Sequence, residues 1–196
     1  MLQASEILSI SYPWLIYAIQ DYLECAAPWK YREQKEKSLQ HRLVAHLMSL
    51  GFDAEEEYKI SEGDSGIHTG RKSNWRIDIA VHIRGRIYFF ELKYNHKGVS
   101  TYGGARQRND YWRDVYKLEK LCQKMPQVHA GWVIMLTDNP FFWENKSKDS
   151  MMHLSYSPKT LWFDGDRIRF NKQSSYRVRW YDTNSSYRYC ITKVRK

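Results

Sequence analysis

Long apolar runs are missing from this chain, and with them any membrane-spanning helix: no uncharged apolar stretch approaches the roughly 20 residues that cross a bilayer. Cysteine is scarce. Cys25, Cys122 and Cys190 are an odd count, lie far apart and form no C-x-x-C pair, which excludes a zinc-knuckle signature and argues against a disulfide framework. A reducing, cytoplasmic setting is the expectation that follows. The first residues, Met1-Leu-Gln-Ala-Ser-Glu6, lack a basic segment followed by an apolar one, so no signal peptide is expected. No G-x-x-x-x-G-K-S/T loop is present, which excludes that ATP-motor signature, no G-x-S-x-G occurs, and Gly103-Gly104 lack the rest of a dinucleotide fingerprint. His41 and His46 are five apart, on different faces of a helix, so they do not form a zincin pair. Negative charge is in deficit: 22 Asp and Glu face 31 Lys and Arg, for a net +9 and a pI near 9.4. A basic excess of this size favours a polyanionic partner, because neutralising phosphates releases counterions, although ribosome-like or membrane-surface binding would give the same sign.

What is present is a foldable chain. Its 196 residues are 42% hydrophobic and 15% aromatic, which suits one domain with a real core rather than a disordered segment. Residues 5–24 have helical spacing, with Pro13 expected to kink or divide the helix. A second helix is predicted from about Tyr31 to Ser49 on the stripe Leu39, Leu43, Leu47, Leu50, stopped by Gly51. Phe52 to Ile60 is a first strand, weakened by Glu55-Glu56-Glu57, and residues 61–74 are a loop by composition. A loop over Tyr94–Gly104 precedes a helix over Ala105–Lys124, ended by Pro126, and Ala130–Thr137 is a continuous apolar run that fits a fully buried strand. Residues 138–160 look irregular. Leu161–Phe163 and Arg167–Phe170 flank an Asp164-Gly165 turn, and Tyr176–Tyr181 and Tyr187–Thr192 flank another. The order helix, strand, hairpin, helix, buried strand predicts an α/β sandwich with a mixed central sheet.

The most informative stretch runs from Arg76 to Tyr94. Ile77, Ile79, Val81 and Ile83 alternate with Asp78, Ala80 and His82, and the run from Ile87 to Leu92 is rich in aromatic and β-branched residues. Arg84-Gly85 between them suits a two-residue turn. That turn pairs Ile83 with Arg86, and the same register sets Asp78 opposite Glu91, with Cβ atoms about 5 Å apart. Lys93 follows on the same face. Two facing carboxylates repel, and a divalent cation between them reverses the sign of that interaction; hard oxygen donors suit Mg²⁺ or Mn²⁺. The plain alternative is a surface hairpin with scattered charges and a strand-end salt bridge between Lys93 and Glu91.

Asp78, Glu91 and Lys93 resemble the signature of the PD-(D/E)XK nuclease superfamily, with Ile77 standing where the name-giving proline would be. The resemblance covers roughly residues 33–140. It implies the restriction-endonuclease-like fold: an α/β three-layer sandwich with a mixed central sheet flanked by helices, here with a C-terminal β-hairpin. It implies a single nuclease domain with residues 1–30 as a helical extension, 31–140 as catalytic core and 160–196 as basic strands. It also implies that Asp78, Glu91 and the Leu92 carbonyl hold Mg²⁺ or Mn²⁺, and that Lys93 orients the attacking water or stabilises developing charge. Glu36, just before the apolar stripe of the second helix, resembles the family's first-helix acid; Glu33 is the alternative, and a solvated helix end is the plain reading of both. Gln107 and Tyr111 form a Q-x-x-x-Y resembling a motif of the exonuclease-like branch, with core packing the plain reading of Tyr111. Asp114 shares that region, although a solvated position suits it better.

Nucleic-acid contacts are expected from Arg71, Lys72, His96, Lys97, Arg106, Arg108 and Tyr111, with Arg113 on the same helix. From Lys159 onward ten Lys and Arg face three Asp, and Tyr176-Arg-Val-Arg-Trp180 interleaves rings with cations, a pattern that can stack bases and pair phosphates or can simply be the cationic outer face of a half-buried hairpin. The expected activity is Mg²⁺-dependent cleavage of double-stranded DNA by an endonuclease of restriction or phage-defence type, without a membrane partner. Many such enzymes dimerise to cut both strands, so a homodimer is one expectation. A non-catalytic nucleic-acid-binding protein of the same fold and an RNA or tRNA endonuclease remain the alternatives.

Overall fold

The computed structural model describes residues 11–25, 36–60, 75–95, 101–143, 160–163, 166–169, 176 and 178–194, with backbone alone at 75, 101–105, 141, 160–163 and 166–169. In chain order these form α1 (Tyr12–Cys25), α2 (Glu36–Ser49), β1 (Asp53–Ile60), β2 (Trp75–Ile83), β3 (Arg86–Asn95), α3 (Thr101–Lys124), β4 (Val128–Thr137), a 3-10 turn at Pro140–Phe142, β5 (Thr160–Phe163), β6 (Asp166–Arg169), β7 (Trp180–Asp182) and β8 (Arg188–Val194). Six strands make one mixed sheet in the order β1-β2-β3-β4-β8-β7, while β5 and β6 pair separately. Among the described residues only β3 and β4 run parallel, and α3 supplies the crossover such a pair requires.

Both faces of the sheet are covered. Leu15, Ile19 and Leu23 of α1 and Leu39, Leu43 and Leu47 of α2 pack with Phe90, Leu92, Trp132 and Ile134 on one face. Tyr111, Trp112, Val115, Leu118 and Cys122 of α3 pack with Phe89, Val133 and Met135 on the other. The described residues therefore make an α/β protein with a mixed six-stranded sheet and three helices. Every residue from Ala130 to Thr137 is buried, as a strand covered on both faces requires. Among the described residues no helix is long and apolar enough to cross a membrane.

Local sequence accounts for most of these elements. Gly51 terminates α2 at a φ of 86°, with its amide donating to the Met48 carbonyl at 3.0 Å and the Phe52 amide donating to Leu47 at 3.1 Å. Arg84 and Gly85 both take positive φ, 51° and 74°, and Ile83 pairs with Arg86, so the hairpin register agrees with that read from the turn. Pro13 sits in the first turn of α1, where a missing N–H costs little, and residues 5–10 of the expected longer helix lie outside the described residues. Two expectations need correction. α3 begins at Thr101, so Gly103-Gly104 are helical rather than loop. Of the described residues of Tyr176–Tyr181, only Trp180 and Tyr181 enter a strand. The expected C-terminal hairpin is present as β7 and β8, and β8 also bonds along β4 from Thr137↔Arg188 to Gly131↔Val194, so the hairpin belongs to the central sheet.

One irregularity matters for the site. Ile79, Val81 and Ile83 enter the core under α1 and α2, but Ile77 enters the core under α3. Strict alternation would put all four on one face. β1 makes the same change, with Ala54 in the first core and Ile60 in the second. Both switches fall between the paired positions Glu56↔Ile79 and Tyr58↔Ile77, at Glu57, whose φ is 53°, and at Asp78.

Candidate active site

The β2–β3 ladder ends at Ile79↔Phe90, one step short of the expected Asp78↔Glu91 pair. At that step the Asp78 side chain takes over from the backbone: its Oδ2 accepts from the Leu92 amide at 2.7 Å, while the Gln40 side-chain amide donates to the Asp78 carbonyl at 2.6 Å. The face switch at Asp78 thus frees a main-chain position and aims a carboxylate at the neighbouring strand. Gln40 is buried on α2 and bonds here, a contribution its place beside Leu39 only hints at.

Glu91 and Lys93 alternate with Phe90 and Leu92 and so lie on the α3 side of β3. Lys93 Nζ reaches Asp114 Oδ2 at 2.8 Å and Glu36 Oε1 at 3.7 Å, and it donates to the Leu92 carbonyl at 3.0 Å. It does not form the strand-end pair with Glu91. That role falls to Lys117, whose Nζ stands 2.5 Å from Glu91 Oε1, 3.9 Å from Asp114 Oδ1, and donates to the Arg76 carbonyl at 3.0 Å. Glu36, the first residue of α2, accepts from the Tyr94 amide at 3.1 Å, which ties the helix start to the strand just past Lys93.

Asp78, Glu91, Lys93 and Glu36 are therefore brought together, at one end of β3 between α2 and α3. Asp114 joins them as the largely shielded partner of Lys93, with its side chain 15% exposed, a correction to the solvated position expected of it. Lys117 was not singled out in the sequence. The signal was its spacing of three from Asp114 together with the need of a buried Glu91 for a counter-charge.

The charge count is uneven. Glu36, Asp78, Glu91 and Asp114 supply four carboxylates against the two ammoniums of Lys93 and Lys117. Burial lowers the affinity of Lys93 for its proton, but Asp114, then Glu36, Glu91 and Asp78, outweigh it and raise the pKa above the ordinary lysine value. Lys117 behaves the same way under Glu91 and Asp114. On the acid side, burial raises Asp78 and Glu36, with Lys93 opposing in both cases. Glu91 is raised well above its usual value by burial, opposed by Lys117 and reinforced by Asp114 and Asp78. The carboxyls thus hold their protons because water is scarce, and the ammoniums hold theirs because negative charge surrounds them.

Hard carboxylate and carbonyl oxygens and an excess of about two negative charges fit a divalent cation of the Mg²⁺ or Mn²⁺ type. Among the described residues, no three His, Cys, Asp or Glu side chains already stand as a closed ligand set. Of the expected ligands, Glu91 carries Lys117 and the Leu92 carbonyl carries Lys93.

The remaining expected residues divide. Gln107 lies half-buried on α3, and its Oε1 is buried with no hydrogen-bond partner among the described residues. Tyr111 is fully buried, and its hydroxyl donates to Thr192 Oγ1 at 2.6 Å, so it is a core residue linking α3 to β8 and presents no surface to nucleic acid. Arg106 is well exposed, 3.8 Å from Asp110. Arg108 is half-buried, and burial lowers its pKa. Arg113 pairs with Asp110 at 2.9 Å. In the C-terminal strands Arg188 pairs with Asp182 at 2.6 Å and lies 5.3 Å from the Trp143 ring centroid. Glu33, Arg71, Lys72, His96 and Lys97 lie outside the described residues.

Comparison of the chain with protein-family models, with curated proteins and with solved structures gives no match.

Proposed function

We propose that this chain is a metal-dependent nuclease with a restriction-endonuclease-like fold that hydrolyses phosphodiester bonds of DNA as an endonuclease. The observation that carries the proposal is the convergence of Asp78, Glu91, Lys93 and Glu36 at the point where β2 leaves β3, with two more carboxylates than ammoniums. In a chain of net charge +9, such a locally acidic, partly buried pocket repels phosphate unless a cation enters it.

Asp78, Glu91 and the Leu92 carbonyl are the groups that would hold Mg²⁺ or Mn²⁺, and the cation would supply an acidified water and charge relief at the phosphate. The Leu92 amide fixes the Asp78 carboxylate, leaving its other oxygen for a ligand. Asp114 and Glu36 keep Lys93 charged and restrict its swing, so its ammonium can orient a water or offset charge developing on phosphate oxygens. Glu36 also anchors the start of α2 beside the site through the Tyr94 amide.

Plasmid DNA incubated with the protein and Mg²⁺ should be nicked or linearised, with loss of cutting in EDTA, in Ca²⁺, or on Lys93→Ala. Binding on a gel without cutting in either Mg²⁺ or Mn²⁺ would replace this reading by the non-catalytic nucleic-acid-binding protein, and cutting of RNA alone would move the substrate class.

A further inference from the structure

Lys117 makes the shortest ion pair of the cluster, and it makes it with a residue that the proposed activity needs for a cation. The side chain of Glu91 is 3% exposed and that of Lys117 is 14%, so the pair is shielded from water rather than loosely held at a rim. Its other contacts do not involve Glu91: Nζ donates to the Arg76 carbonyl at 3.0 Å, and Asp114 Oδ1 lies 3.9 Å away. An ammonium displaced from Glu91 would keep a hydrogen bond and a counter-charge without leaving the pocket.

We infer that Lys117 is a built-in stand-in for the cation, occupying Glu91 until a divalent ion displaces it onto Asp114 and the Arg76 carbonyl. This rests on the proposed metal site and adds to it a residue that limits metal affinity. A buried carboxylate needs positive charge close by. Without Lys117 the empty site would hold Glu91 uncompensated; with it, the pocket stays folded and the cation must compete for the same oxygen. The exchange also places a second ammonium on Asp114, the carboxylate that holds Lys93, so loading the site changes the field at Lys93.

The inference has a readout separate from cleavage: Mn²⁺ titrated into the full chain, followed by loss of the free-ion electron paramagnetic resonance signal, with circular dichroism melting curves to confirm folding. Lys117→Met should bind Mn²⁺ about tenfold tighter or more, the scale on which one neighbouring unit charge moves an ionic equilibrium. Lys117→Met combined with Glu91→Gln should lose that gain while remaining folded. If Lys117→Met does not fold, Lys117→Gln, which can still donate to the Arg76 carbonyl, carries the same expectation. Folded Lys117 variants that bind Mn²⁺ no tighter than a binding-competent wild type overturn the inference and leave the nuclease proposal standing. Absence of Mn²⁺ binding in wild type and variants alike overturns the metal site, and the inference with it.

Discussion

Replacing Asp78 separates its two roles, because Asn and Ala differ in which one they keep. The carboxylate accepts the Leu92 amide at 2.7 Å in a partly buried position, and it contributes one of the four negative charges of the cluster. Asp78→Asn preserves an acceptor of the same shape and removes the charge. Burial already raises the Asp78 pKa, so the neutral side chain is no worse suited to the metal-free fold, and Asn should leave stability within about 1 kcal/mol of wild type. Asp78→Ala strands the Leu92 amide, whose residue is fully buried, at a cost of about 1–3 kcal/mol. For a chain of this size each kcal/mol moves the melting temperature by about 2–4 °C. Metal-free thermal melts should therefore rank Asn near wild type and Ala several degrees below. Plasmid cleavage in Mg²⁺ should be abolished by both. An Ala variant as stable as the Asn variant would show that the Leu92 bond does not hold the strand junction together. Undiminished cleavage by the Asn variant would remove Asp78 from the site.

Three further outcomes are expected. A Cβ on Gly131 would stand 3.0 Å from Leu118 Cβ and Cδ1, so Gly131→Ala should push α3 off β4, cost about 1–3 kcal/mol in denaturant melts, and loosen the Asp114–Lys93 pair carried by that helix. Tyr111→Phe should lower stability by about 0.5–1.5 kcal/mol through loss of the Thr192 bond while leaving DNA affinity in a gel-shift assay unchanged; a large loss of affinity in a folded variant would return Tyr111 to the nucleic-acid surface. Burial raises the pKa of Asp78, Glu36 and Glu91 in the folded chain, so their contribution is present at low pH while they are protonated and is lost as pH rises through the raised folded values. Metal-free melting temperatures should fall across that range relative to Asp78→Asn, and millimolar Mg²⁺ should offset the fall; a difference that neither pH nor Mg²⁺ alters would contradict the charge count.

How much of the site was legible follows from which contacts are local. Arg84-Gly85 sets a two-residue turn, and a two-residue turn dictates the strand register, so Ile83↔Arg86 through Ile79↔Phe90 could be counted from sequence. That counting fails one step later, at Asp78, because the face switch there is shared with Glu57 of another strand. The strand-end pair of Lys93 with Glu91, the plain alternative, is displaced for a related reason. Within β3 the nearest acid is Glu91, but the helix that crosses to β4 brings Asp114 and Lys117 onto the same face and exchanges the partners.

The amino-acid order by itself determined most of the strand, helix and turn identities among the described residues and the buried character of Ala130–Thr137, because propensity, alternation and turn chemistry act over a few neighbours. Packing of α3 against the sheet decided which carboxylate neutralises which ammonium, that Tyr111 is core, and that β8 completes the central sheet rather than standing apart. Charge pairing and burial are sums over residues distant in sequence, and no local pattern contains them.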